Sequence, residues 1–139
     1  MEKKKKVMIV MSMPEWLNIF RNIIRQELPH LYHDVIFTDS FDEAVDMTPQ
    51  LCELAVISCE SFHDENSDYR ETHGEIMSDN EKSGTKLAEI VKQLNPQSKF
   101  YIFSSYDVEK SQFIDGGIKT HQYGNVFSSD VVKALKFVS

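Results

Sequence analysis

A chain of 139 residues has room for one hydrophobic core and one domain. Its 41% hydrophobic and 11% aromatic content is ordinary for a globular protein, and no apolar run approaches the roughly 20 residues needed to cross a bilayer. The formal charge of −7 argues against a nucleic-acid-binding surface. That charge is unevenly spread: from Glu60 to Ser83 there are eight acidic residues and two basic ones, so this stretch alone carries −6. The start, MEKKKKVMIV, joins a basic run to a short apolar one and lacks the longer apolar core and small-residue cleavage site of a secretory signal. Cys52 and Cys59 are too few for a disulfide framework and are expected to be reduced thiols of a cytoplasmic protein.

In chain order, Val7 to Met11 is a continuous apolar run of strand length, as in a strand buried on both faces. Ser12 in SMPE is placed to cap a helix, with Glu15 three residues on and Pro14 in the first turn. Leu17, Phe20, Ile23, Ile24 and Leu28 recur at helical spacing until Pro29 ends the helix. DVIFTDS predicts a second strand, and SFDE a second capped helix from Ser40 and Glu43, ending near Thr48 and Pro49. ELAVIS predicts a third strand, ending on Ser58. Glu60 to Ser83 is polar and aperiodic, long for a connection inside a compact domain, and is expected to be a functional or disordered loop. Leu87, Ile90, Val91 and Leu94 then form a helical stripe stopped by Asn95-Pro96. KFYIFSS predicts a fourth strand, and DVEKSQFIDGG a short fourth helix capped by Asp107 and ended by glycine. IKTHQY predicts a weak fifth strand and SSDVVKALKFV a last helix. With no internal repeat, residues 1–139 are expected to form a single domain with a long acidic loop at about 60–83.

Alternating strands and helices imply right-handed βαβ crossovers. Five such units predict an α/β, flavodoxin-like doubly wound sheet: five parallel strands in the order 2-1-3-4-5, with helices on both faces. The functional crevice of that topology lies at the carboxyl ends of strands one and three. The stretches MSMPE, SCESF and SSYD therefore bear on function.

The stretches KVMIVMSMPEWLNIFRNII, ELAVIS, GTKLAEIVKQLNPQSKFYIFSSYD and DGGIKTHQY…VFSSDVVKAL together resemble the receiver domain of two-component response regulators, from Lys5 to Val138. In that family a strand-three aspartate accepts a phosphoryl group while an acidic pair after strand one holds Mg²⁺. A hydroxyl after strand four and a lysine after strand five bind the phosphoryl oxygens. The resemblance carries the acidic pair onto Met11 and Ser12, the acceptor onto Ser58, the hydroxyl onto Ser104, and the lysine into Tyr123 to Asn125, where no lysine occurs. Only Ser104 fits. Serine is a poor nucleophile without a neighbouring base, and methionine is no ligand for a hard cation. The resemblance therefore implies a pseudo-receiver that keeps the scaffold and has lost the phosphorylation chemistry.

Other groupings have plainer explanations. His63, Asp64, Glu65, His73 and Glu75 are metal-ligand types, but their spacing fixes no geometry, and a solvated acidic loop accounts for them. Glu60, two residues past Ser58, could fold back to rebuild a cation site, against which stand Met11 and the missing lysine. Cys59 has no basic neighbour in sequence to activate it. His121 falls where receivers often carry a switching aromatic, and a half-buried ring packed on the last helix explains it as well.

The expected function is an atypical receiver-like signalling module acting through protein–protein contact, without phosphorylation, metal or cofactor. Receivers present a face built from helix four, strand five and helix five, here Tyr106, Val108, Phe113, Lys119, His121 and Phe127. With no output domain in this sequence, the signal is expected to pass to a protein partner or through a homodimer, with no nucleic acid or membrane involved. The alternative is a sensor that binds a small ligand in the vacated pocket near Met11, Ser12, Ser58 and Ser104. An enzyme is not expected, since no nucleophile–base pair can be placed at the strand ends.

Overall fold

The computed structural model describes residues 6–11, 14–50, 53–59, 83–104, 112–119 and 128–138. Five strands, β1 (Lys6–Val10), β2 (Val35–Thr38), β3 (Leu54–Cys59), β4 (Lys99–Ser104) and β5 (Gly116–Lys119), form one sheet in the order β2-β1-β3-β4-β5. Every pairing is parallel. The described helices are α1 (Pro14–Glu27), α2 (Phe41–Met47), α3 (Ser83–Leu94) and α4 (Ser128–Val138). This is the doubly wound arrangement expected from the alternation of elements. No described helix is long and apolar enough to cross a membrane.

The central strands read as unbroken apolar runs because helices cover both faces. α1 and α4 pack together on one side and α2 and α3 on the other. Every residue of β3 is buried, as are Val7 to Val10 of β1 and Phe100 to Ser104 of β4. Four aromatic rings line the α1/α4 side. Phe20 of α1 meets Phe103 edge-on at 5.7 Å, Phe103 meets Tyr101 at 5.8 Å, and Tyr101 meets Phe137 of α4 at 5.1 Å. Such tilted pairs add to the burial of the rings themselves. Burial, and after it the charge of Asp130, raises the Tyr101 phenol above its ordinary pKa of 10.0.

Local rules set the helix ends. Ser40 caps α2 as expected, its hydroxyl accepting from the Glu43 amide at 3.2 Å. The Ser40 amide donates to the Thr38 hydroxyl at 3.1 Å, the place a capping box would give to the Glu43 side chain. Pro29 ends α1 but starts a 3-10 segment, Pro29–Asp34, that leads into β2. A further 3-10 turn, Thr48–Gln50, prolongs α2 through Pro49, where the Thr48 hydroxyl donates to the Ala44 carbonyl at 2.7 Å.

Two strand boundaries differ from the sequence reading. β3 ends on Cys59 and not on Ser58. β5 begins at Gly116 and ends at Lys119, whereas IKTHQY placed it from Ile118 to Tyr123. Gly116 and Gly117 therefore open a strand; they do not close a helix, and residues 112 and 113 form a turn. The reason is nonlocal. Asp115 is bound to β4 on both sides of Phe100: its amide donates to the Phe100 carbonyl at 2.9 Å, and its carboxylate accepts from the Phe100 amide at 2.8 Å. Lys92 of α3 completes the clamp, donating to the same Asp115 oxygen at 2.7 Å and to the Ser98 carbonyl. The next residue, Gly116, lies under α4. A Cβ there would stand 2.9 Å from Phe137 Cζ and 3.1 Å from Tyr101 Cδ2.

Gly116→Ala should therefore overpack the contact and lower stability by about 1–3 kcal/mol. Urea denaturation checks this, and adding Phe137→Leu should return part of the loss. A Gly116→Ala protein as stable as the parent would show that α4 does not press on β5.

Candidate functional site

The site is built where the strands end. In a parallel sheet, residues in direct register point to the same face, so one row runs Thr38, Val10, Ser58, Ile102, Gly117. Ser58 thus lies between two branched apolar side chains and is completely buried. Its hydroxyl donates to the carbonyl of Cys59 at 2.8 Å. A serine in such a place must spend its proton on the protein, because no water reaches it. It is a strand residue with a satisfied hydroxyl, and it is not presented to solvent as a nucleophile.

Met11 follows β1 and is also completely buried, within the main apolar cluster. Its amide donates to the Thr38 carbonyl at 3.1 Å. A thioether therefore fills the end of β1, where the family resemblance puts the first carboxylate. Cys59 is 2% exposed, beside Phe103 in register. Buried in the apolar cluster, it has the setting of a packing residue.

Ser104 is the last residue of β4 and is 3% exposed. It lies on the strand next to Ser58, on the same face and two residues further along, so the two serines do occupy neighbouring strand ends. Its register partner is Lys119, the exposed last residue of β5. The window Tyr123 to Asn125, which holds no lysine, lies outside the described residues, while the residue that ends β5 beside the hydroxyl is a lysine. The Asp115 clamp and the Gly116 contact bring it there. A Gly-Gly pair opening a short edge strand was the signal that could have found it.

Of the face expected to bind a partner, Phe113 is half-buried and packed against the core, and Lys119 is exposed. Tyr106, Val108, His121 and Phe127 lie outside the described residues, as do Ser12, Glu60, His63, Asp64, Glu65, His73, Glu75 and Cys52. Among the described residues no group of three or more His, Cys, Asp or Glu side chains is placed to hold a metal ion.

No protein-family model and no curated protein sequence matches the chain. Among solved structures, the isolated REC domain of RcsB from Salmonella enterica serovar Typhimurium, determined in the presence of phosphomimetic BeF3-, is similar with a TM-score of 0.59. The match covers 97% of this chain and 87% of that one at 16% sequence identity. The chain thus shares the fold of a response-regulator receiver domain.

Proposed function

We propose that this domain is a receiver-like signalling module that works by binding another protein, without phosphorylation of an aspartate and without catalysing a reaction. The supporting observation is Ser58. At the position corresponding to the phosphoacceptor stands a buried hydroxyl, flanked by Val10 and Ile102 and bonded to a backbone carbonyl. Met11 argues the same way, since a buried thioether replaces a cation-binding carboxylate. The partner-binding surface in this reading is the face that includes Phe113 and Lys119, with a homodimer as one form of partner. A second reading has one specific observation behind it: the pairing of Ser104 with Lys119 at the open end of the sheet suits a small anion, held by a hydroxyl and an ammonium group.

The first test is chemical. Incubated with acetyl phosphate and Mg²⁺, the protein should gain no acid-labile phosphoryl group, as judged by intact mass. An adduct would overturn the proposal.

Restoring an aspartate should not restore the site. In Ser58→Asp the new carboxylate would stand between Val10 and Ile102, and burying it without a partner should cost about 3–5 kcal/mol at pH 7. Its pKa would rise, so the penalty applies above the pKa of the unfolded carboxyl and fades as pH falls toward 4. Urea midpoints of Ser58→Asp and Ser58→Asn at pH 7 and pH 4 check this. A difference that does not shrink at low pH would mean that the carboxylate had found a cation.

The acidic segment tests the mode of action. Replacing Asp64 to Lys82 with a short Gly-Ser linker should leave the melting temperature nearly unchanged, because closure entropy depends only weakly on length. A pull-down from the source cell should lose protein partners on the same replacement if the segment meets the partner, and the association should slow as salt rises. A large drop in melting temperature would instead favour the ligand-binding reading, with the segment packed over the pocket.

A further inference from the structure

Two buried polar atoms stand at the contact of α4 with β4. Tyr101 is 3% exposed, and its hydroxyl has no hydrogen-bond partner among the described residues. Asp130, in the first turn of α4, keeps one carboxylate oxygen, Oδ2, buried and likewise without a partner among them. The spacing along α4 brings the two groups together. Asp130, Ala134 and Phe137 stand at i, i+4 and i+7, on a single stripe of the helix. Ala134 is completely buried and Phe137 meets the Tyr101 ring at 5.1 Å, so that stripe is the one turned to β4. The small side chain of Ala134 leaves room for the ring to lie along the helix, from Phe137 toward Asp130. The electrostatics agree: after burial, the charge of Asp130 is the second cause that raises the Tyr101 phenol above its ordinary pKa.

A carboxylate in the first turn suits the positive end of the helix dipole. That accounts for its charge, but not for the burial of one oxygen with nothing to accept from. Left apart, each atom has given up its bond to water and gained none. Their needs are complementary, since the phenol has a proton to donate and the ionised carboxylate only accepts. Both groups can turn to meet. The phenol hydrogen rotates, and a carboxylate has a broad choice of its last torsion.

We infer that the Tyr101 hydroxyl donates to the Asp130 carboxylate, closing a buried latch that fixes α4 on β4. Asp130 is then a positioning residue: it sets the helix against the sheet at its first turn, as Phe137 does at its last. α4 also borders β5, which ends on Lys119, so the latch holds the helix beside the surface proposed to meet a partner. The inference rests on packing within the domain and stands whatever that surface binds.

A double-mutant cycle at pH 7, read by urea denaturation, tests it. Tyr101→Phe keeps the ring on Phe137 and removes only the hydroxyl. It should raise the unfolding equilibrium constant about tenfold, and that effect should be lost in the Asp130→Ala background. The phenol is neutral at pH 7, so no charge–charge effect can imitate the coupling. An unbonded buried hydroxyl is a burden that phenylalanine lifts. A Tyr101→Phe protein as stable as the parent or more so, or two substitutions whose effects simply add, therefore overturns the inference. A second measurement needs no change in α4. In NMR of the full chain, the Tyr101 hydroxyl proton should give a slowly exchanging signal that contacts the Asp130 β protons and is absent from Tyr101→Phe. A hydroxyl proton that exchanges at the solvent rate, with no contact to Asp130, overturns the inference.

Discussion

The central strands of this sheet are buried on both faces, and that constraint governs what its ends can hold. Where no water is available, a polar group left without a protein partner is costly. Ser58 avoids that cost by turning its hydroxyl onto the Cys59 carbonyl, and Thr38 by accepting from the Ser40 amide. A receiver that transfers phosphate must do the reverse and keep carboxylates at the same depth, which a bound cation makes tolerable. With Met11 completely buried after it, the end of β1 is apolar and joins the core.

The edge of the sheet is under the opposite constraint. β5 has few side chains of its own to bury, so its position is set by groups lent from elsewhere: an ion pair from α3, an amide and a carbonyl from β4, and an aromatic ring from α4. These groups do more than fill space. They decide which residue ends the strand, and so which side chain stands beside Ser104. The interior of the domain is fixed by burial and its edge by a few directional contacts.

That difference explains how much was legible in the sequence. Val7 to Met11 and Leu54 to Ser58 announced themselves as strands because residues buried on both faces leave an unbroken apolar run. α1 and α3 did so through helical spacing, and α2 through Ser40. The order of the elements then implied the sheet order, since crossovers have one hand. The burial of Ser58 was legible on the same grounds. The bounds of the fifth strand were not. Glycines carry no periodic signal, and Gly116 and Gly117 read equally well as the end of a helix. What makes them a strand is the hold of Phe100 and Lys92 on Asp115 and the contact of Gly116 with Phe137, none of them near in sequence. The misplacement carried over to the site, hiding the pairing of Lys119 with Ser104, because register is a property of two strands and cannot be read from either alone.

The pairing of β3 with β4 has a kinetic consequence. It sets Ala55 beside Lys99, and the chain between them contains the acidic stretch that carries −6 of the formal charge. Closing that segment is a nonlocal step, of the kind that slows folding in sheets. Like charges crowded into the closing segment repel and favour extended conformations, most strongly at low ionic strength. The central pairing of the fold therefore forms against the charge of its own connection, and salt should ease folding more than it alters the rate of unfolding.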